Sequence, residues 1–461
     1  MAASETEPAA RVATRLLPLE AWARLRARFG GAEHLVHRLA GTVFLIRVGS
    51  ALLAYVSQAL FARWMGTFEF GIYVYVWTWV LLLGPMLDLG LSSAAQRFIP
   101  RYREHRQLEL LRGYVSGARW LGFCAAVLAT LLCAALVWNI RHWLDDYTVI
   151  PLVLACLCVP AISLGNIQDG ISRSYDWVGL AIIPTYIVRQ VLLTGLMGAA
   201  YVAGFSVDAV TAMMLACIAI WAPVLGQLFT LNGRLRARIE PGPKTLEVKN
   251  WLATALPILL AESFFFLLSY TDVILLQQFR PPEDVAVYYA AVKTLALVSF
   301  IYFSVAMTAA HRFSSLHACG DREGLTRFLR QTTRWTFWPS LCATALLLAL
   351  GRPLLSLFGP QFTDGYHLLF VLAVGLLARS SIGAVERFLN MLGQQRLCAL
   401  VYATAFAINV ALCLVLIPRL GADGAAIATA AAILVETVLL FLVARLRLGF
   451  HAFIFSRSAW R

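Results

Sequence analysis

Long runs of apolar residues, separated by short polar connections, recur along the whole chain of 461 residues. Many of these runs exceed the roughly 20 residues that a helix needs to cross a hydrocarbon core about 30 Å thick. The apolar positions are continuous rather than alternating, which indicates helices and not the strands of a membrane barrel. The pattern predicts twelve transmembrane helices, at about residues 36–62, 71–94, 113–138, 148–172, 177–203, 209–231, 251–278, 286–311, 335–358, 366–390, 397–418 and 421–444.

Basic residues are concentrated in every second connection between these spans. Arginines and lysines cluster after spans two, six and eight and again at the end of the chain, whereas the intervening connections carry acids such as Asp145, Asp146, Glu283 and Asp284. Cytoplasmic loops of membrane proteins carry an excess of Lys and Arg. The distribution therefore predicts that both termini are cytoplasmic.

One stretch of the sequence, from Trp64 to Trp120, occurs twice at a constant spacing of about half the chain. The pairs are Tyr73 with Tyr288, Ala95 with Ala310, Arg97 with Arg312, Phe98 with Phe313, Arg119 with Arg334, and Trp120 with Trp335. An even number of spans in each repeat gives both halves the same orientation, and parallel repeats are related by an axis along the membrane normal. The predicted fold is an all-α polytopic membrane protein of two six-helix bundles related by a pseudo-twofold axis.

The repeat and the polar connections together predict the domain organisation. The predicted parts are a cytoplasmic N-terminal segment (1–35), an N-terminal bundle (36–231), a cytoplasmic linker (232–250), a C-terminal bundle (251–445) and a cytoplasmic tail (446–461). The run Pro241-Gly242-Pro243 breaks any continuous helix in the linker. Residues 19–29 would form an amphipathic helix on the headgroup surface, and a disordered basic tail is an equally good reading of this segment.

Composition supports a membrane protein and argues against several other classes. The mean hydropathy is +0.74 and 14% of residues are charged, against about 25% in soluble domains. The net charge of +13 is better explained by loop topology than by nucleic-acid binding. Nine scattered cysteines give no disulfide framework, and no metal site or cofactor is predicted. Phosphate-binding loops, nucleophile elbows and HExxH helices are absent from the sequence, which predicts that the protein is not an enzyme.

Several ionisable residues lie within the predicted spans, where a charge at mid-depth costs roughly 2.5–3.5 kcal/mol. Near mid-depth are Arg47, Arg189, Arg379 and Glu262, three cations against one acid. Structural ion pairs would balance the signs, so the excess of guanidinium groups favours a watery cavity for an anion such as phosphate. The predicted cavity residues are Arg47, Arg189, Arg379 and Lys293; purely structural pairing is the alternative.

The remaining charged positions are candidates for two further roles. Glu262 occupies the repeat position of Arg47 and would either pair with it or bind a proton or cation. The candidates for ion coupling are Glu262, Asp88 and Asp272, of which the two aspartates would otherwise cap or pair with neighbours. The candidates for gate or interdomain contacts are Arg119, Asp169, Glu386 and Arg387, for which a simple interfacial position is the alternative.

Several sequence segments resemble a known family. ARWMGTFEFGIYVYV (62–76) and LDLGLSSAAQRFIPRY (87–102) in the first half are similar to the bacterial polysaccharide-biosynthesis flippases, the O-antigen or Wzx-type branch of the multidrug/oligosaccharidyl-lipid/polysaccharide exporter superfamily. In the second half the similar segments are LPILLAESFFFLLSYTDVILL (256–276), VAVYYAAVK (285–293), LNMLGQQR (389–396) and LIPRLGADGAAIATAAA (416–431). The resemblance covers roughly residues 36–445 and leaves residues 1–35 without an assigned role.

This resemblance implies two bundles around a cationic cavity, alternating access, and transfer of undecaprenyl-diphosphate-linked oligosaccharide across the bacterial inner membrane for surface polysaccharides such as the O-antigen of lipopolysaccharide. It implies a lipid-linked oligosaccharide and membrane lipids as partners, with a polysaccharide polymerase or glycosyltransferases as further candidates, and no nucleic acid. Two rivals remain at this point. One is a multidrug or metabolite exporter of the same superfamily; the other is a membrane enzyme, a polymerase or ligase of polysaccharide assembly.

Overall fold

The protein is described by a computed structural model that covers the backbone of residues 19–455, without the side chains at positions 19–45, 47, 307–308, 310–311 and 318. Every regular element in that range is helical, which confirms the predicted all-α class. The helices are α1 (Leu19–Met86), α2 (Leu91–Glu104), α3 (Leu108–Asn139), α4 (Asp146–Ser174), α5 (Val178–Ile182), α6 (Arg189–Val202), α7 (Ala209–Arg236), α8 (Val248–Phe279), α9 (Pro282–Ala318), α10 (Arg322–Ala349), α11 (Gly351–Ser356), α12 (Tyr366–Ser381), α13 (Val385–Met391), α14 (Gln395–Leu420) and α15 (Ala422–Leu448). A π-helical turn (Ile183–Val188) joins α5 to α6, and short 3₁₀ turns cover Arg141–Trp143 and Pro360–Gly365.

The helix α1 is divided by a sharp break at Gly66. Its backbone angles there (φ 79°, ψ 173°) lie outside the helical region and are accessible to glycine without steric cost, so α1 consists of two arms, residues 19–65 and 67–86. With the two arms counted separately, and with α5–α6 and α12–α13 each counted as one span, twelve long helical segments occupy the places of the twelve predicted spans. By length and composition alone, ten segments of the described chain qualify as membrane-spanning.

Some predicted boundaries were wrong. Span nine was expected to begin at residue 335, but α10 begins at Arg322, where the Asp321 carboxylate accepts the Gly324 N–H at 2.7 Å and caps the helix. The charged residues that suggested a loop extend a helix beyond the apolar segment. Span two was expected to reach residue 94, but its helix ends at Met86 and a turn through Gly90 starts the amphipathic helix α2.

The helices pack as two groups joined by a linker. In the N half (residues 50–236), α4 packs against α2, α3 and α7; in the C half (residues 248–455), α14 packs against α8 and α15, and α12 packs against α9, α10 and α15. The linker is held along α3, where the Arg112 guanidinium donates to the carbonyls of Glu240 and Pro243 at 2.8 and 3.2 Å. We call the end of the molecule that carries this linker the basic end, and the other the opposite end.

The sequence repeat corresponds to repeated environments. Tyr73 and Tyr288 are both buried in the core, and Phe98 and Phe313 are buried at the basic end of their respective halves. At other positions of the repeat Trp120 and Trp335 are both exposed, by 68% and 53%. Large apolar side chains that are exposed on a membrane-spanning helix face lipid. The duplicated residues therefore mark equivalent inner and outer faces of the two halves.

Apolar side chains form one core that the halves share and two that they do not. The shared core lies toward the opposite end and joins residues such as Phe70 and Tyr73 of the N half to Tyr289 and Phe358 of the C half. Toward the basic end, the N half has its own core, which also includes the first turns of α8. The C half has a separate core there. The two halves thus share one core at the opposite end, whereas at the basic end only the first turns of α8 join the C half to the N-half core.

Candidate functional site: a cavity lined by Arg189

A cavity of about 240 Å³ opens among α4, α6, α7 and the second arm of α1, with one residue contributed by the C half. Its lining residues are Leu81, Pro85, Ile162, Gly165, Asn166, Pro184, Thr185, Tyr186, Arg189, Ile220, Pro223, Val224 and Tyr270. Arg189 is the only charged residue among them, and Tyr270 on α8 is the contribution of the C half. The cavity therefore combines apolar walls with a few polar groups and a single cation.

The backbone before Arg189 is unusual. Residues Ile183–Val188 form a π-helical turn with Pro184 near its start, and Pro184, Thr185 and Tyr186 all line the cavity. Proline lacks the N–H that a regular helix needs, and π-helical turns inside helices are frequent at functional sites. The turn shifts the register of α6 so that Arg189, its first residue, lies at the cavity wall.

The Arg189 guanidinium is half-buried and has no carboxylate within ion-pair distance in the described part of the chain. It lies over the ring of Trp77, with 5.7 Å from the guanidinium carbon to the ring centroid. The nearest acid, Asp169, is buried and accepts hydrogen bonds from Gln227 Nε2 at 2.7 Å and Thr185 Oγ1 at 3.2 Å. Because neutral donors hold Asp169, it interacts with Arg189 only at longer range.

Lys293 brings a second cation to the same region from the C half. Its ammonium lies 4.8 Å from the centroid of the Tyr289 ring, and no described carboxylate lies within ion-pair distance of it. The Tyr270 hydroxyl lies within electrostatic range of both Lys293 and Arg189. Two cations, one from each half, thus act electrostatically on the same tyrosine of the cavity wall.

The other two predicted cavity arginines are placed differently. Arg379 forms an ion pair with Glu436 through two contacts, one of them from Nε to Oε1 at 3.2 Å. The two side chains are 22% and 1% exposed, so this is an internal pair of the C half. The side chain of Arg47 lies outside the described residues, and with it the predicted pairing of Arg47 and Glu262.

The three acids predicted for ion coupling lie in three different settings. The Asp88 carboxylate is buried and accepts the N–H of Gly90 at 2.7 Å, which fixes the turn before α2. Glu262 accepts a hydrogen bond from the Ser93 hydroxyl at 3.1 Å, a contact that joins α8 of the C half to α2 of the N half. Asp272 is buried inside the C half and has no cationic partner within ion-pair distance in the described chain.

Asp272 belongs to a polar cluster that crosses three helices of the C half. Its carboxylate accepts hydrogen bonds from the Tyr288 hydroxyl, from Thr429 Oγ1 at 3.0 Å and from the Val273 N–H at 2.8 Å. Asn409 and Cys413 on α14 lie nearby; the Cys413 thiol donates to the Asn409 side-chain oxygen at 3.0 Å, and the Asn409 amide nitrogen has no hydrogen-bond partner among the described residues. A buried carboxylate among neutral oxygen groups is an arrangement that can hold a proton or a small cation.

Three of the four residues predicted for gate or interdomain contacts make hydrogen bonds within one half. Arg119 donates to Asn232 Oδ1 and to the Val115 carbonyl, both at 2.7 Å, and Asp169 contacts only N-half residues as described above. Glu386 accepts from Tyr302 at 3.4 Å and from Asn390 at 3.2 Å, all in the C half. Arg387 lies beside Glu386 and within electrostatic range of Glu262.

Contacts that join the halves involve residues that the sequence reasoning did not single out. At the opposite end, the Tyr55 hydroxyl lies 3.1 Å from Thr294 Oγ1, and Arg63 Nε donates to the Leu357 carbonyl at 2.7 Å. Gly71 lies directly against the Pro282 carbonyl, where any side chain would collide. The only available signal was the presence of Tyr, Gly and Arg at predicted span ends, which is too common to select them. The two halves are therefore in direct contact at the opposite end.

Two protein-family models match this chain. The family model "Polysaccharide biosynthesis protein" matches residues 39–317, and the model "Lipid II flippase MurJ" matches residues 181–460. No curated protein matches the chain.

Three solved structures share the fold at low sequence identity. An inward-facing multidrug resistance MATE transporter of the MOP superfamily is 17% identical, with a TM-score of 0.69 over 88% of this chain and 94% of that one. A lipid II flippase MurJ in an inward closed conformation is 14% identical (TM-score 0.67; 88% and 87%), and a MOP superfamily transporter from Pyrococcus furiosus is 16% identical (0.66; 90% and 95%). The chain is a multi-pass membrane protein that belongs to the polysaccharide biosynthesis protein family, whose relatives are flippases and exporters.

Proposed function

We propose that the protein is a flippase that moves an undecaprenyl-diphosphate-linked oligosaccharide across the bacterial inner membrane for the assembly of surface polysaccharide. The observation that carries the proposal is the placement of Arg189 and Lys293, one from each half, around Tyr270 without a carboxylate partner in the described chain. A diphosphate would supply the missing negative charge between the two halves.

A charged side chain without a partner inside the membrane raises the free energy of the protein. Arg189, near mid-depth of its span, costs about 2.5–3.5 kcal/mol, and Lys293 adds a smaller cost nearer the end of its span. Their contacts with the faces of Trp77 and Tyr289 return only about 0.5–2 kcal/mol each. A phosphate offsets this cost because Arg donates to phosphate oxygens in pairs and Lys acts as a point charge. The rival substrate class, organic cations, would be repelled by the same two residues.

The packing of the halves supports an inward-facing state. The shared core and the contacts of Tyr55 and Arg63 join the halves at the opposite end, whereas at the basic end the C half joins the N-half core only through the first turns of α8. The positive-inside rule predicts that the basic end is cytoplasmic. A lipid-linked donor made in the cytoplasm would then enter between the halves, and rocking of the halves would expose it to the other leaflet.

Asp272 is the proposed coupling residue. It lies on α8, the helix that also carries Tyr270 of the cavity wall and Glu262, whose contact with Ser93 joins the halves. Binding of a proton or cation at Asp272 would alter the hydrogen bonds to Tyr288 and Thr429 and so the packing of α8. When the halves rock and their packing at the basic end changes, Glu262 would in turn lose its hydrogen bond with Ser93.

The experiment is complementation of a deletion strain that accumulates lipid-linked oligosaccharide on the inner leaflet. Arg189→Ala and Lys293→Ala should each reduce surface glycan, the double variant should abolish it, and Arg189→Lys should keep part of the activity. Arg352→Ala is the matched control, because Arg352 also lies over an aromatic ring, that of Tyr366, but on an exposed surface of the C half.

Two results would contradict the proposal. Normal surface glycan from a well-expressed double alanine variant would remove the anion site. Unchanged surface glycan in the deletion strain itself, together with altered drug sensitivity, would instead assign the protein to multidrug or metabolite export.

A further inference from the structure

A second cavity, of about 350 Å³, lies on the outer face of the N half, away from the central site. Its walls are formed by α3 and α7, with Leu164 of α4 as its floor. The lining residues are Ser116, Arg119, Trp120, Phe123, Leu164, Trp221, Leu225, Leu228 and Asn232. The edge-to-face pair of Phe123 and Trp221, 6.4 Å apart, closes one end of this groove, and Arg119 with Asn232 forms the other.

Both walls of the groove face the hydrocarbon. On α3, Trp120, Leu128 and Leu131 are more than 60% exposed, and on α7 Phe229 is 73% exposed. Exposed apolar residues of this density on spanning helices are in contact with lipid chains. A groove between two such faces has the shape and chemistry for one acyl chain.

Arg119 lies within side-chain reach of the lipid headgroups at the basic end. The 32 residues of α3 are about 48 Å long, which exceeds a hydrocarbon core of about 30 Å by roughly 9 Å at each end. Arg119, eleven residues after Leu108, is thus about 8 Å inside the core at its Cα, within reach of the interface by extension of its side chain. Its Nε donates back to the Val115 carbonyl, so the side chain is directed toward the basic end.

The charge of Arg119 has no acidic partner within the part of the chain that the structure describes. Its hydrogen bonds go to the Asn232 side chain and the Val115 backbone, both neutral acceptors. Neutral acceptors leave the positive charge uncompensated, and a lipid phosphate is the anion available at this depth.

We propose that this groove is a binding site for an anionic phospholipid of the basic-end leaflet, with its phosphate on Arg119 and one acyl chain between Phe123, Trp221 and Leu225. The site lies outside the central cavity and is independent of the flipping proposal. Trp120, which is 68% exposed beside Arg119, would cover the glycerol region of the bound lipid.

The test uses the full-length protein, purified and delipidated in detergent, and native mass spectrometry with equimolar dioleoylphosphatidylglycerol and dioleoylphosphatidylcholine. The wild type should retain the anionic lipid several-fold more than the zwitterionic one. Arg119→Gln should lower retention of the anionic lipid about tenfold, since a charge-assisted hydrogen bond is lost, and Arg119→Lys should keep part of it. Arg141→Gln is the matched control, because Arg141 lies over Trp138 near the other end of α3.

A second variant keeps the test decisive if Arg119→Gln fails to fold. Leu225→Trp fills the groove from its exposed wall and should abolish retention of both lipids. Wild-type retention by Leu225→Trp, or equal retention of the two lipids by the wild type, would overturn the proposal. Displacement of the anionic phospholipid by undecaprenyl phosphate at equimolar concentration would also overturn it, because the groove would then be an entry site for an isoprenoid substrate.

Discussion

Because Arg379 forms an ion pair with Glu436, we expect its charge to stabilise the fold and not to bind substrate. Glu436 is 1% exposed and Arg379 is held to it through two contacts. Removal of one partner leaves a buried charge without compensation, which costs about 3–5 kcal/mol, whereas replacement of both by apolar residues is often neutral or stabilising. We therefore expect Arg379→Leu and Glu436→Leu to destabilise the protein and the double variant to recover.

Thermal unfolding in detergent measures the stability of each variant, and complementation of the deletion strain measures its transport activity. Each single variant should lower the melting temperature by roughly 6–20 °C, from about 2–4 °C per kcal/mol. The coupling energy from the double-mutant cycle should exceed about 1 kcal/mol, because the residues are in direct contact. The double variant should restore both stability and surface glycan.

The informative failure is a double variant that is stable but does not support surface glycan. That result would show that the Arg379 charge itself is needed for transport. Arg379 would then be assigned to the proposed anion site together with Arg189 and Lys293. A double variant that remains as unstable as the single ones would instead refute the assignment of the pair as an isolated structural contact.

Three further predictions concern the closed end and the coupling cluster. Gly71→Ala would place a methyl group against the Pro282 carbonyl, so it should separate the halves at the opposite end and raise accessibility of that side to a thiol reagent at an introduced cysteine. Cysteines replacing Thr67 and Gln361, whose side-chain oxygens lie 3.2 Å apart, should cross-link under oxidation and stop transport until reduced. Asp272→Asn should abolish ion-dependent transport with normal expression; full activity would exclude Asp272 as the coupling group.

The fold was largely predictable because apolar length and repeated residues report directly on it. The spacing between Tyr73 and Tyr288 identified the duplication, and both side chains are buried in the shared core. The boundary of α10 was not predictable, because Arg322 to Arg334 combine the charge of a loop with the periodicity of a helix that projects beyond the membrane. A high density of charged residues in the sequence indicates where the chain leaves the hydrocarbon core of the membrane. It does not indicate whether the helix ends at that point.

The candidate site was predictable in its residue types and only partly in its geometry. Arg189 and Arg379 are both arginines near mid-depth of apolar spans, and nothing in the local sequence distinguishes them. The difference is made by Glu436, which lies on another helix and meets Arg379 only after α12 and α15 pack together. Similarly, Tyr270 was embedded in an aromatic run and becomes a cavity residue only through the approach of α8 to the N half. Which side chain on another helix a charged residue meets is decided by how the helices pack, and the local sequence does not contain that information.

The duplicated halves have diverged in the charges that they contribute. At the constant spacing of the repeat, Ser57 of the N half corresponds to Asp272 of the C half. Ser57 accepts a hydrogen bond from Thr194 at 2.7 Å, whereas Asp272 is a carboxylate in a cluster with Tyr288 and Thr429. The acid cluster therefore belongs to one half only, while the cavity arginine belongs to the other. In the proposed mechanism, coupling between an ion at Asp272 and a lipid phosphate at Arg189 would pass between the halves, and α8, whose first turns join the N-half core, is the element that would transmit it.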